Sequence, residues 1–189
     1  MNRQEALSII KHKAKEFASL PEIYRLDRGF VMAAVKANWR VLKYADERFK
    51  TDSRIAIQAI IKNKRAFAYL SDMLKYDRDF FIKAMREGVQ LSQAPKELTF
   101  DRKIVLEATK YISWNLVGFK NFLSDRKIVL AAISHSDGHP DVLRQASDKL
   151  RDDREIVLEA VQYDPEALRY ASVRLRKDPT ILQAVGVIN

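Results

Sequence analysis

The side chains most able to bind a charged group are arginines that directly follow an aspartate at regular intervals along the chain. A guanidinium group binds a phosphate or a carboxylate through two parallel hydrogen bonds, so such a row could grip phosphates or an acidic strip on a partner. The alternative is structural, because in stacked units each guanidinium could bridge to the carboxylate of a neighbouring unit. The recurrence favours that ladder, since a cation at a helix N-terminus opposes the helix dipole by about 0.3 to 1 kcal/mol and needs compensation. The pairs are Asp27 with Arg28, Asp77 with Arg78, Asp101 with Arg102, Asp125 with Arg126, and Asp153 with Arg154.

A second basic group lies near the predicted ends of helices in the N-terminal half. The helix dipole favours cations there, so a solvated surface explains them, but together they could also form one basic face for an anionic partner. The net charge of +9 is uneven, because residues 1–94 carry 19 Lys and Arg against 11 Asp and Glu, and residues 95–189 carry 15 against 14. Trp39 and Tyr44 are interleaved with this group, and we expect packing between helices for them, with base stacking as the alternative. The candidate residues are Lys36, Arg40, Lys43, Lys62, Lys64, Arg65 and Arg86.

Patterns that indicate catalysis or metal binding are weak by comparison. His135, Asp137, His139 and Asp141 have side chains that could ligate a metal ion. The Asp-Gly and His-Pro pairs within the same HSDGHPD segment are, however, typical of a lengthened turn. We therefore expect no metal, no cofactor and no enzymatic activity, and an enzyme acting in a groove is the least favoured alternative.

These residues recur because the chain is a tandem repeat. Its clearest unit is Asp153 to Asp178, and equivalent units start at residues 27, 52, 77, 101, 125 and 153, after a degenerate first unit over 1–26. A partial last unit covers 178–189. A fixed period of about 25 residues is the signature of a stacked repeat protein. Seven residues after each of the six starts stands an alanine, which lets neighbouring helices approach closely: Ala34, Ala59, Ala84, Ala108, Ala132 and Ala160.

The first helix of each unit is predicted from its cap and its apolar residues. Aspartate is a good N-cap because its carboxylate accepts hydrogen bonds from the free backbone N–H groups of the first turn. The third, fourth and fifth residues after the aspartate are apolar and are predicted to lie in the core, as in Phe30, Val31 and Met32. In the unit from Asp153, Leu158 falls on a different side of the helix from its apolar neighbours. Such a helix is apolar over more than half its circumference, so it must be covered on two sides.

A second helix is predicted to complete each unit. It carries one apolar anchor near its middle and another near its end, as in Leu42 and Phe49. A hairpin of two helices this short cannot bury itself, and its stability must come from stacking on its neighbours. The predicted fold is therefore all-α: an α-solenoid of short helical hairpins that forms a single elongated domain over residues 1–189.

The motifs DRKIVLAA and DREIVLEAV, followed by LRYAS and LRKD, resemble the repeats called domain of unknown function 4116. The resemblance is closest over residues 125–178. It implies tandem short helical repeats of the kind found in bacteria, including effector-like proteins of intracellular pathogens, and in protists. It supplies no catalytic residues. This chain departs from the family pattern at Ser53, where arginine is usual, at the longer loop near His135, and at Pro179, which follows the last aspartate.

The predicted function is a non-enzymatic repeat scaffold that binds another protein. The alternative is binding of an anionic partner, either nucleic acid or an acidic membrane surface, through the basic N-terminal half. No signal segment opens the chain, and no run approaches the ~18 to 20 apolar residues of a membrane span. The absence of cysteine suits a reducing cytoplasm, or a host cytosol if the protein is an effector.

Overall fold

The computed structural model describes residues 1–111, 121–135 and 141–186, and within those ranges its regular structure consists of helices. The repeat and its helical character are thus confirmed. Each repeat is built around one long α-helix, and shorter helices follow it. The α-helices are α1 (Arg3–His12), α2 (Glu22–Arg25), α3 (Arg28–Ala37), α4 (Glu47–Lys50), α5 (Ser53–Lys62), α6 (Asp72–Tyr76), α7 (Arg78–Arg86), α8 (Arg102–Ala108), α9 (Arg126–His135), α10 (Asp141–Gln145), α11 (Asp148–Arg151), α12 (Arg154–Tyr163) and α13 (Pro179–Ala184).

The predicted second helix differs from the structure, because in most repeats it is divided in two. In the first three repeats a 3-10 helix follows the long helix and a short α-helix follows that, whereas the later repeats, where the structure describes them, have two short α-helices or two 3-10 helices there. In the second repeat, for example, Trp39–Tyr44 is a 3-10 helix, Ala45 is extended, and Asp46 caps α4. The other 3-10 helices are Ala14–Ser19, Lys64–Tyr69, Leu91–Gln93, Lys96–Phe100, Pro165–Tyr170 and Leu175–Lys177.

The break in the second helix allows a backbone hydrogen bond between repeats. The Ser71 N–H, at the start of α6, donates to the Lys50 carbonyl of the preceding repeat at 3.3 Å. Two equivalent bonds of 2.9 Å join Ser147 to Leu123 and Ser172 to Arg151. A continuous α-helix would use these N–H groups internally, so the chain must leave the helix to make the contact.

Aspartate caps the long helices as the sequence predicts. The Asp52 carboxylate accepts from the Ile55 N–H at 3.2 Å, and Asp153 accepts from the Ile156 N–H at the same distance. The first repeat also has a cap that the sequence analysis overlooked. Asn2 and Glu5 form a capping box, in which each side chain accepts a hydrogen bond from the other residue's backbone N–H. The 25-residue period therefore extends back to Asn2.

Long helices pack on one another in order within each of two compact parts of the chain. The chain forms two compact units, Met1–Pro95 (unit 1) and Lys96–Asn189 (unit 2). In unit 1, α3 lies between α1 and α5, and α5 also contacts α7. In unit 2, α9 lies between α8 and α12, and α12 also contacts α13. The six repeat alanines are all buried at these helix contacts. The prediction of one elongated solenoid domain over 1–189 stays a prediction.

One part of the predicted core is wrong. The third apolar residue of each long helix, five residues after the cap, is only half-buried at Met32, Ile57, Leu106, Leu130 and Leu158, although Ile82 is buried. The residues before it, such as Phe30 and Val31, are fully buried. The reason is the helical period: the third and fourth positions after the cap face the neighbouring repeats, and the fifth points about 100° further round. We call the half-buried set the fifth-position row.

The repeat alanines provide a test of this packing. Ala59 is fully buried where α5 meets its neighbours, so Ala59→Leu should overpack the contact and lower the free energy of unfolding by about 1 to 3 kcal/mol. Urea denaturation measures the change. Ala68→Leu is the matched control, because Ala68 is exposed in the next 3-10 helix. Equal stability of the two variants would show that the helix contact is described wrongly.

Candidate binding surface

Arginines at the start of the long helices form ion pairs with the cap of the next repeat. Arg28 donates to Asp52 from Nε at 2.6 Å and from Nη2 at 3.2 Å. Arg102 binds Asp125 in the same two-bond manner, at 2.5 and 3.0 Å. Each pair bridges two repeats and leaves the guanidinium about half exposed. These arginines are therefore already occupied by a carboxylate within the protein.

The same pairing continues towards both ends of the chain. Arg126 Nε donates to Asp153 at 2.8 Å and also contacts Glu155, and Arg154 Nε donates to Asp178 at 3.1 Å. Arg3 lies 3.3 Å from the Asp27 carboxylate, a pair that the sequence analysis did not anticipate because it found no cap in the degenerate first unit. Ser53 takes the position of the arginine in the third repeat, so this residue supplies no guanidinium to the cap that follows.

The ion pairs lower the pKa of the capping carboxylates. The hydrogen bond from Arg102 is the main cause at Asp125, where backbone N–H groups assist and partial burial opposes, and the net result is a pKa below the usual value. Arg126 acts in the same way on the pKa of Asp153. At Asp52, burial alone would raise the pKa, but hydrogen bonds from Arg28 and two backbone N–H groups outweigh it. These carboxylates stay ionised and are not general acids near neutral pH.

The basic residues predicted to bind an anionic partner do not share one environment. Arg40 covers the Trp39 ring, with its guanidinium 4.7 Å from the ring centroid, and Lys43 lies 5.8 Å from the centroid of Tyr44. Lys62, Lys64 and Arg65 are exposed at the turn after α5, and Arg86 is exposed at the end of α7. Lys36 differs from them because it lines a groove.

That groove lies on unit 1, across the exposed sides of α3, α5 and α7, and has a volume of about 390 Å³. We call it the unit 1 groove. Two of its lining residues, Met32 and Ile57, belong to the fifth-position row. The described lining is Met32, Lys36, Ser53, Arg54, Ile57, Gln58 and Lys83.

The sequence analysis missed Arg54 and Lys83 as partners of Lys36. Arg54 lies two residues after its cap, Lys83 six after its cap and Lys36 nine after its cap. These positions do not coincide in a linear alignment of the repeats. On a helix, however, positions two, five, six and nine share one side. Superimposing the helical wheels of consecutive repeats would have found the groove.

In unit 2, glutamates balance the positive charge on the helix side that carries positions two, five, six and nine. Position six carries Glu107 and Glu159 there, and position two carries Glu155 in the last complete repeat. Lys110 pairs with Glu107 at 2.7 Å, and the Ser134 hydroxyl donates to Glu159 at 3.0 Å. The excess of positive charge on this side is thus a property of unit 1.

Aromatic residues near the basic groups are used in packing. Trp39 stacks on Tyr69 of the next repeat, with ring centroids 6.0 Å apart and planes 25° apart. Trp39 is only half-exposed and is also covered by Arg40. Trp114 lies outside the described residues. The arrangement fits packing between repeats, and it leaves no open pair of rings at Trp39 for a base to enter.

The HSDGHPD segment provides no site among the described residues. His135 ends α9, and its Nδ1 lies 2.7 Å from the Ala131 carbonyl. Asp141 begins α10 and lies 3.1 Å from Arg144. Asp137 and His139 lie outside the described ranges. No group of three or more potential metal ligands occurs in the part of the chain that the structure describes.

Capped α-helices, cross-repeat ion pairs and buried alanines at a constant spacing define the chain as a protein of tandem helical repeats. The family model that matches it is the domain of unknown function (DUF4116), over residues 2–50, 27–75 and 125–176. The chain belongs to this family. Each match covers two consecutive repeats, and the first starts at the Asn2 cap. Comparisons with curated proteins and with solved structures find no match. Across the described helices, none is long and apolar enough to cross a membrane.

The low pKa of Asp125 predicts how the stability of the fold depends on pH. Its folded pKa lies below the ordinary value of about 3.9, so its stabilisation is complete above that value and is lost as the pH falls through the folded pKa. Arg102→Gln removes the main cause. It should lower stability at neutral pH and make the acid loss of stability shallower, as urea midpoints between roughly pH 7 and pH 2 would show.

Lys103→Gln is the matched control for Arg102→Gln. It makes the same change of charge at the next residue, which is exposed and forms no ion pair among the described residues. The stability of Lys103→Gln should fall with decreasing pH in the same way as that of the natural protein. If the two variants had the same pH profile, the effect would come from net charge and not from the bond to Asp125.

Proposed function

We propose that the protein is a non-enzymatic interaction module whose stacked repeats form an α-solenoid and bind another protein along the exposed sides of their long helices. The supporting observation is the fifth-position row. An isolated half-exposed aliphatic residue is ordinary on a protein surface. The same position is aliphatic and half-buried in five repeats. The partial exposure is therefore a feature of the repeat and not of one surface residue.

The row lies where the protein leaves its helices uncovered. In unit 1, α3 and α5 each pack on the long helices before and after them and on the 3-10 segment that follows. The side chains of the row stay half-buried, so these contacts do not cover them fully. Repeat proteins use surfaces of this kind, in which each unit contributes a few side chains to an extended contact. A partner that covers the row would complete the burial that the helix pattern requires.

The titrating groups support a binding role over catalysis. A general acid or base that works near neutral pH needs a pKa moved towards neutrality. Asp52, Asp125, Asp152, Asp153 and Asp178 each have a pKa below the ordinary value for aspartate. Four of them accept hydrogen bonds from backbone N–H groups at helix starts and from arginines, and Asp152 accepts from the Ser172 hydroxyl and from Arg174. They hold repeats together, and that use leaves them unsuited to proton transfer.

Photo-crosslinking tests the proposed function. The photoreactive residue benzoylphenylalanine replaces Gln58 on the exposed side of α5, and in a second variant it replaces Met73, which is exposed in α6 outside the groove lining. In an extract of the source cell, the Gln58 position should give a discrete protein adduct, and the Met73 position should not. Mass spectrometry of the adduct identifies the partner.

The outcomes of this experiment are separable. An adduct at Met73 alone would mean that the protein binds a partner through another surface. Absence of a protein adduct at both positions, in extracts where a crosslinked nucleic acid is found, would overturn the protein-binding proposal in favour of an anionic polymer.

Binding of an anionic polymer is the second candidate function. The observation that favours it is the exposed turn after α5, where Lys62, Lys64 and Arg65 form no ion pair among the described residues. Closely spaced cations of this kind suit a phosphate backbone or an acidic membrane surface. The turn has no open aromatic pair beside it, so this candidate would rest on charge alone.

A salt series tests the second candidate. If the turn binds nucleic acid, a labelled random oligonucleotide should bind with an affinity that falls steeply as salt rises, because bound counterions are released. Charge reversal of Lys62, Lys64 and Arg65 to Glu should abolish the binding in fluorescence anisotropy. An affinity that is unchanged by the reversal, or binding that is absent at physiological salt, would reject nucleic acid as the partner of this turn.

A further inference from the structure

We infer that the unit 1 groove binds an acidic peptide segment that carries an aliphatic side chain. The inference rests on the proposed function and specifies its partner, because it names both the surface and the chemistry that fits it. The groove crosses three consecutive long helices, α3, α5 and α7, so a bound segment would contact three repeats.

The charge of the groove comes from cations that the protein does not neutralise. Lys36, Arg54 and Lys83 line it, all three are exposed, and none forms an ion pair among the described residues. Arginines at the first position after the cap, such as Arg28 and Arg102, are by contrast bound to carboxylates. The cations of the repeats are therefore of two kinds. Those at the first position after the cap hold repeats together, and those in the groove are available to bind a ligand.

No acidic residue occurs among the described groove residues. The uncharged lining residues add hydrogen-bonding groups, because Ser53 has a hydroxyl and Gln58 has an amide. Serine at position 53 replaces the arginine that the repeat usually carries there, so a small side chain lies at the wall of the groove. The arrangement favours an anionic ligand with several acceptor oxygens.

The groove also has an aliphatic component. Met32 and Ile57 are half-buried in it, and covering them removes apolar surface from water. Methionine adapts readily to different apolar ligands. A ligand that satisfies the whole groove must therefore offer carboxylates and an aliphatic group at short spacing, as a peptide with acidic residues on either side of leucine does.

Size and lining favour a peptide over a nucleic acid. A volume of about 390 Å³ falls at the small end of ligand sites, and it suits a few side chains of an extended or helical segment. Binding of single-stranded nucleic acid without sequence preference depends on aromatic platforms. None of the described lining residues is aromatic, and Trp39 is engaged with Tyr69 and Arg40.

Fluorescence anisotropy with designed peptides tests the inference on the full chain. The probe is a fluorescein-labelled peptide of sequence EELEELEEL, and the two control probes are EEGEEGEEG, which lacks leucine, and KKLKKLKKL, which reverses the charge. We expect the first probe to bind, the second to bind at least about tenfold more weakly, and the third not to bind.

Two sets of variants locate the binding. Reversal of Lys36, Arg54 and Lys83 to Glu should weaken EELEELEEL by at least about tenfold. The matched control reverses three exposed cations of unit 2, Lys96, Lys149 and Lys177, and should change the affinity by less than about threefold. Far-UV circular dichroism verifies the fold of both. As a milder variant, Ile57→Thr should weaken EELEELEEL but leave EEGEEGEEG unchanged.

Three results would overturn the inference. The first is an absence of EELEELEEL binding at low salt, and the second is an equal loss of affinity in the groove and control variants. The third is an oligonucleotide that binds the natural protein and loses its affinity in the groove variant, which would make the groove a nucleic acid site. The proposed function is tested separately, because a protein adduct at Gln58 in the crosslinking experiment would still support it if this peptide did not bind.

Discussion

The repeat depends on one carboxylate that performs two tasks. At Asp52, for example, the aspartate before the long helix accepts hydrogen bonds from the backbone of its own helix and also from the guanidinium of Arg28 in the preceding repeat. The first task fixes where the helix starts, and the second fixes where that start lies relative to its neighbour. At Asp125 and Asp153 both tasks are visible in one side chain. The two oxygens of one carboxylate therefore set both the start of the helix and the spacing between repeats. Replacing the aspartate would change both.

The sequence was sufficient for the features that recur at a fixed position. Aspartate followed by arginine, and alanine seven residues after the aspartate, identify the long helix, its cap and its packed side, as at Asp153 and Ala160. The divided second helix could not be found in this way. Its break depends on a backbone bond from Ser71 to the previous repeat, and that donor is an N–H group that nearly every residue possesses. The capping asparagines of the 3-10 helices, such as Asn38, were overlooked for a related reason, because aspartate replaces them later in the chain.

The candidate site was predicted less completely than the fold. Lys36 was selected because it stands near a helix end, but the groove is defined by a side of the helix and not by its end. Arg54 and Lys83 belong to the same side at other positions of their repeats. In the sequence, moreover, an arginine that pairs between repeats and a lysine that lines the groove are both simply basic residues on a long helix. Only contacts separate them, since Arg28 is paired with Asp52 and Lys36 is not paired among the described residues.

The backbone bonds between repeats have a consequence for the history of the chain. Because a main-chain donor and a main-chain acceptor join Ser71 to Lys50 and Ser172 to Arg151, this part of the junction requires no particular side chain. A duplicated repeat can therefore join its neighbour before any substitution has adapted it. Copies made in this way are free to diverge on their outward residues, as the lysine-rich first half and the glutamate-balanced second half have done. The array can thus acquire new ligand preferences by gene duplication without rebuilding its joints.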